Sequence, residues 1–236
     1  MRKTYILLIC ALLTSAAYGQ SNYYKLGIGG GAGITQSFTD VKIHGRAQAY
    51  YGTLDYFFTP YLSLGLEGQL GKLKGGDRVL DYHKREFTNS YKAATLNAKV
   101  YLGALTDNGY QTGALANFFR GAYFGVGVGL LVNNMTDIVR VQPAGGIFTG
   151  GYVFPGVNQS KEILLPANLG INFYINDNYG FERFVINVNL QGSMSLGEGM
   201  DGYDDTSAIF KNKSPDIYTF ASVGLKFRFG PEGYHK

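Results

Sequence analysis

The chain has 236 residues, a formal net charge of +4, 34 glycines and only 16% charged residues. This length suits one domain, and so small a charge, with basic residues that form no single stripe, argues against nucleic acid as a partner. The mean hydropathy is near zero, although no long apolar run occurs beyond the first residues. A chain that is apolar in total but never in blocks is typical of many half-buried strands.

The first 19 residues have the parts of an export signal. Arg2 and Lys3 are basic, and residues 5–13 are apolar. Residues 17–19 have the small–x–small pattern of a cleavage site, so cleavage would follow Gly19. The apolar stretch is too short to span a bilayer as a helix, which takes about 20 residues. We expect a cleaved signal peptide over residues 1–19 and a mature domain over residues 20–236. Cys10, the only cysteine, would leave with the signal, so no disulfide or cysteine-based metal site is expected.

Eight segments alternate apolar and polar residues with period two, which predicts β-strands. In the clearest segment, residues 62–70, four leucines and a glycine share one face, while Ser63, Glu67 and Gln69 lie on the other. In chain order the predicted strands lie near residues 25–34, 50–56, 62–70, 95–102, 124–132, 168–175, 186–194 and 221–229. An even number of roughly ten-residue strands suits a membrane barrel. We therefore predict an all-β fold, an eight-stranded antiparallel up-and-down transmembrane β-barrel.

The lengths of the links indicate which face of the barrel is outside, because alternation alone does not distinguish a soluble barrel from a membrane barrel. The links at residues 58–61 and 176–183 are short. The long links are those at residues 72–91, 133–161 and 195–216. Outer-membrane barrels alternate short periplasmic turns with long external loops, as here. The link at residues 103–120 departs from this rule, since it should be periplasmic and yet is long.

Charged residues on the polar face support the same orientation. Each charge would cost about 2–4 kcal/mol on the lipid face at the midplane, so these residues should face the lumen. The predicted lumen charges are Lys25, Asp55, Glu67, Lys99, Lys226 and Arg228. We expect Glu67 to pair with Lys99 and Asp55 with Arg228, since an unpaired buried charge is costly. Glycines of the first and fifth segments either make room for large lumen side chains, which we favour, or leave a narrow passage.

These features resemble the small eight-stranded outer-membrane proteins of the OmpX and OmpA-membrane-domain type. The resemblance rests on the alternating strands, on the glycine-rich stretch at residues 120–129, and on the last strand. There Leu225, Phe227 and Phe229 look like the signal that such proteins present to the barrel-assembly machinery, although residues 230–236 trail beyond it. The resemblance implies integral insertion in a Gram-negative outer membrane, with membrane lipid and the assembly machinery as partners.

The histidines do not form a catalytic pattern. Enzymes among the small barrels need a catalytic histidine or paired acids at the external rim, and this chain has only His44, His83 and His235. None of them begins the His-x-Ser motif of the lipid A deacylases. We therefore predict a protein that is not an enzyme and has no cofactor. The acidic residues of segment 198–205 do not have the spacing of a calcium loop, so we expect them to be solvated.

Function should lie in the external loops. The basic segment at residues 72–86 is a candidate for lipopolysaccharide phosphates, and a solvated loop explains it equally well. An apolar set in the third loop marks either a partner surface or a loop folded over the barrel mouth. That set comprises Ile147, Phe148, Tyr152, Val153 and Phe154. We predict a non-enzymatic binding or scaffold protein, or an accessory subunit of a larger outer-membrane secretion or uptake complex. A narrow channel is the alternative.

Overall fold

The computed structural model of the protein describes residues 21–81, 83–106, 119–143, 151–203 and 215–235. The predicted signal peptide, Ile147 and Phe148 lie outside these ranges. The strands are β1 (Ser21–Phe38), β2 (Arg46–Thr59), β3 (Leu62–Gly76), β4 (Glu86–Tyr101), β5 (Ala122–Ile138), β6 (Gln159–Asn176), β7 (Glu182–Ser195) and β8 (Ile217–His235). A four-residue helix, α1 (Gly103–Thr106), follows β4.

The eight strands close into one barrel, which confirms the predicted fold. Each strand pairs antiparallel with the next in chain order, and β8 closes the barrel by pairing antiparallel with β1. The register keeps like faces together: Leu66 lies opposite Leu54 on β2 and opposite Leu96 on β4. One-residue slips would turn these leucines into the lumen, so the apolar alternation fixes the register.

Side chains are distributed in the opposite way to those of a water-soluble protein. Outward-facing Leu66 and Leu225 are 55% and 68% exposed, whereas Asp55, Lys99 and Arg228 are almost completely buried. Exposed leucines around buried charges are stable when the surrounding solvent is lipid. The protein is therefore a transmembrane β-barrel. Among the described residues, no helix is both long and apolar enough to cross a membrane.

The apolar belt has the height that a bilayer requires. On β3 the outward apolar positions run from Leu62 to Leu70. Eight residue steps at about 3.4 Å, tilted by about 40°, cover roughly 20 Å along the membrane normal, close to the ~25 Å band of known barrels. Beyond Leu70 the next outward residues are Lys72 and Lys74, which are both exposed. The change from leucine to lysine marks the edge of the belt near the long loops.

The strands are longer than the alternating segments, which corrects two boundaries. Residues 72–76 belong to β3 rather than to the second external loop, so that loop covers only residues 77–85. The residues after Phe229 do not trail away, because β8 continues to His235 and pairs with the start of β1. Backbone pairing continues where the apolar pattern has stopped. Gly230 adopts a φ of +88°, which favours glycine, at this continuation.

Candidate functional site

Three charged side chains form a buried cluster in the lumen. The carboxylate of Asp55 accepts hydrogen bonds from Lys226 Nζ at 2.7 Å and from Lys99 Nζ at 3.3 Å. All three side chains are at most 5% exposed. The expected pair between Glu67 and Lys99 is not formed, because Glu67 lies opposite Thr95 and Lys99 lies four residues further along β4. Asp55 therefore makes the direct ion pairs with both ammonium groups, while the buried Glu67 carboxylate accepts a hydrogen bond from Gln69 at 2.8 Å.

Arg228 has a different partner from the one expected. Its guanidinium donates to the carboxylate of Glu182 rather than to Asp55, and it lies over the Phe57 ring at 4.1 Å. The sequence pattern missed Glu182 because a register irregularity at the end of β6 and the start of β7 changes the side-chain parity there. A similar irregularity between Tyr24 and Leu26 leaves Lys25 half-buried, outside the buried cluster.

Polar side chains bridge the lumen from one wall to the other. Gln69 on β3 donates to Gln191 on β7 at 2.6 Å, and these strands are opposite in an eight-stranded barrel. The Oε1 atom of the same glutamine accepts hydrogen bonds from Tyr91 at 3.2 Å and from Tyr218 at 3.0 Å. Closer to the charged cluster, Tyr51 on β2 donates to Asn187 on β7. These contacts fill the interior with side chains.

Inward-facing glycines make room for these side chains. A Cβ atom at Gly29 would come within 2.6 Å of the Lys226 side chain, and one at Gly224 within 2.3 Å of the Tyr51 hydroxyl. On β5, a Cβ atom at Gly125 would lie 2.9 Å from the Lys99 side chain. The glycine-rich faces thus accommodate large lumen residues, which is the interpretation that the sequence favoured over a narrow passage.

The external mouth is covered by its own loops. Phe154, between β5 and β6, is 1% exposed and packs edge-on against Tyr203 at 5.7 Å. The hydroxyl of Tyr203 lies 3.1 Å from the carbonyl oxygen of Glu86 and 3.0 Å from that of Val139. Arg140 donates to the carbonyl of Gly202 at 2.6 Å. Residues from two loops and from the start of β4 therefore form one cap, which we call the mouth cap.

This arrangement corrects part of the expected partner surface. Phe154 faces the barrel and Tyr152 packs against the hydrophobic cluster that contains Phe154 and Tyr203, so neither belongs to an exposed patch. For these two residues the loop is folded over the mouth, which was the other interpretation of the sequence. Val153 between them is 62% exposed and faces away from the barrel.

Asp201, one of the acidic residues of segment 198–205 that we expected to be solvated, is not, and Asp204 and Asp205 lie outside the described residues. Asp201 and Asp216 are both buried, and Asp216 accepts the backbone N–H of Met200 at 3.2 Å. Burial raises the pKa of both carboxyls, and the proximity of Asp201, Glu198 and Glu162 raises that of Asp216 further. In the described part of the chain, no group of three or more histidine, cysteine or acidic residues could hold a metal ion.

The histidines lie in separate settings. The His44 ring packs on Phe38 with a centroid distance of 4.8 Å. The backbone N–H of His83 donates to Asp81, and burial lowers the pKa of the His83 side chain. The side chain of His235 lies outside the described residues.

Comparison with known proteins adds likeness of architecture only. No protein-family model and no curated protein matches the sequence. Solved structures that match include Neisserial surface protein A, with a TM-score of 0.47, 11% identity and coverage of 90% of this chain and 100% of that one. Ail of Yersinia pestis matches with a TM-score of 0.45, 11% identity and coverage of 90% and 100%. OprG from Pseudomonas aeruginosa matches with a TM-score of 0.38, 14% identity and coverage of 91% and 99%.

Likenesses at these scores carry no argument about function. The geometry of the chain itself is decisive for the fold, since eight antiparallel strands close around a polar lumen and present an apolar belt outward. The chain therefore has the architecture of the small eight-stranded outer-membrane barrels that its sequence resembles.

Proposed function

We propose that the protein is an integral, non-enzymatic outer-membrane barrel that acts through its external loops, as a binding or scaffold protein or as an accessory subunit of a larger outer-membrane complex. A cleaved signal peptide over residues 1–19 would export it. The observation that carries the proposal is the closure of the interior by the Gln69–Gln191 bridge and by the mouth cap. A filled eight-stranded barrel offers solutes little passage, which leaves the external surface as the place for function.

The loop between β3 and β4 is the exposed feature that best suits a partner. Val79 and Leu80 at its tip are 81% and 76% exposed. Asp77 holds the tip in shape, because its Oδ1 accepts the backbone N–H groups of both residues at 2.7 and 2.9 Å. Arg78 bridges the carboxylates of Glu86 and Asp137 below it. An ordered loop that keeps two apolar side chains in water supports a contact with another protein.

A narrow channel is the second candidate, favoured by the charged cluster around Asp55 inside the lumen. Conduction would require the Asp55 ion pairs and the Gln69 bridge to open together. Planar-bilayer recordings of the purified barrel distinguish the two candidates. We expect no stable single-channel steps, and reproducible ion-selective conductance would refute the binding interpretation.

Photo-crosslinking in cells tests the loop contact. A photoreactive residue replaces Leu80 at the external tip or Tyr179, which is 83% exposed in the turn between β6 and β7 at the other end. We expect a discrete adduct with one outer-membrane or extracellular protein from position 80 and not from position 179. Equal adducts from both positions, or none from position 80 in folded protein, would contradict a partner at this loop.

A further inference from the structure

Two lysines lie side by side on the outer face of the barrel at the edge of the apolar belt. Lys92 of β4 and Lys161 of β6 flank Val132 of β5, and each is directly opposite it in the register. Both side chains are exposed. Two strand spacings put their Cα atoms about 10 Å apart, so their long, flexible side chains can converge on one anion.

These lysines have no protein counter-charge in the part of the chain that the structure describes. The nearby acids on the outer face, Glu86 and Asp137, are both engaged by Arg78, at 2.7 and 3.1 Å. The ion pairs among the described residues do not include Lys92 or Lys161. Two uncompensated cations at this level create a positive field where lipid headgroups lie.

The surface between the lysines is a depression with polar groups above it. Its volume is about 480 Å³. Asn134 lies opposite Ser90 on one side and Gln159 on the other, one outward row beyond the lysines. Amide and hydroxyl groups beside two ammonium groups can donate to the oxygens of a phosphate. We call this depression the lysine pocket.

An apolar depression of about 500 Å³ continues from the lysine pocket into the belt, and the two share Lys92 and Val132. Its floor is a row without bulky outward side chains, formed in register by Gly52, Gly68 and Ala94. A Cβ atom at Gly68 would meet nothing within 4 Å, so barrel packing does not require glycine there. The lysine pocket is thus joined to a surface that suits a hydrocarbon chain.

We propose that the lysine pocket binds the phosphate of a phosphorylated lipid in the outer leaflet, with Lys92 and Lys161 as its charged ligands. The charge of the pocket selects the phosphate, and its position at the edge of the belt selects a lipid over a soluble anion. This site lies on the barrel wall and uses none of the external loops, so it is independent of the proposed partner contact.

Native mass spectrometry of the folded barrel in detergent tests the proposal. The probes are diphosphorylated lipid A and the same lipid after removal of both phosphates. We expect K92Q/K161Q to retain the phosphorylated lipid about thirtyfold less than the wild type, because each lysine near the membrane surface contributes about 1 kcal/mol. The control K25Q/R46Q makes the same change of charge outside both depressions and outside the basic segment at residues 72–86, and should behave as the wild type. The dephosphorylated lipid should bind weakly to all three proteins.

Each contrary result overturns the assignment. Equal retention of lipid A by K92Q/K161Q and the wild type excludes the two lysines as ligands. Equal retention of the phosphorylated and dephosphorylated lipids excludes phosphate recognition. If inorganic phosphate displaces bound lipid A as readily as added lipid A does, the pocket recognises a free anion and the commitment to a lipid is wrong. The mobility shift of the unboiled barrel on gels verifies that every variant is folded.

Discussion

Replacement of Asp55 by Asn should destabilise the barrel more than replacement of either lysine that it binds. Asp55 is the single carboxylate between Lys99 and Lys226, and the three side chains are at most 5% exposed. Its removal leaves two buried ammonium groups without a directly bonded carboxylate, which should cost about 3–5 kcal/mol. Lys99→Met leaves the 2.7 Å pair between Asp55 and Lys226 intact, so its effect should stay within about 1 kcal/mol.

The same reasoning predicts recovery when all three charges are removed. D55N/K99M/K226M replaces the lysines with apolar side chains of similar volume, and such changes are often neutral or stabilising. The free energy of unfolding is measured by urea titration in lipid vesicles, with the folded fraction read from gel mobility because the chain has no tryptophan. The matched control is D137N, whose carboxylate pairs with Arg78 but is 59% exposed, and it should change stability by less than about 1 kcal/mol. A loss for D55N no larger than that for D137N, or a triple variant as unstable as the sum of its single changes, would refute the charge argument.

Three further outcomes follow from the packing. Gly31→Ala should destabilise by about 1–3 kcal/mol in the same urea assay, because its Cβ atom would lie 2.2 Å from a backbone oxygen of β8. Gly52→Ala, whose Cβ atom would have only a contact at 3.8 Å, should change stability by no more than about 1 kcal/mol. Phe154→Ala should destabilise the mouth cap by about 3–5 kcal/mol. Amide exchange at residues 151–158 should therefore become faster, while amide exchange in β3 stays unchanged. Burial raises the pKa of Asp216 in the folded state, so that state binds an extra proton and the mouth cap should lose stability as pH rises above about 4. Amide exchange at Met200, corrected for intrinsic rate, should show this loss, and Asp216→Asn should flatten it.

Alternation predicted the strands and the inward faces because the period of a strand is two wherever backbone geometry is regular. Asp55, Lys99 and Arg228 therefore lie in the lumen, where parity put them. Glu182 escaped prediction, since the irregularity beside it changes the side-chain parity. The partners of the ion pairs were not predicted either, because the partner of Lys99 depends on the register between neighbouring strands, which the pattern of one strand does not give.

The mouth cap could not be predicted from the sequence pattern, for a different reason. Phe154 and Tyr203 belong to loops without any period, and only the closed barrel brings them within 5.7 Å. The sequence showed that these residues are apolar but not whether their side chains face solvent or the barrel. The same residues fit an exposed patch or a loop folded over the mouth. Because Phe154 is only 1% exposed, it belongs to a loop folded over the mouth.

The sizes of the lumen residues determine where on this barrel a ligand can bind. Tyr51 occupies the lumen because glycines such as Gly224 leave space for its ring and hydroxyl. An interior filled by side chains stabilises the barrel, and the narrow bore of eight strands favours recognition at the outer surface. The exterior offers two chemically distinct surfaces at different heights: an apolar loop tip at Leu80 in water, and the lysine pocket at the level of the lipid headgroups. A barrel that binds lipid through its wall and a protein through its loop can hold that protein at a fixed distance from the membrane.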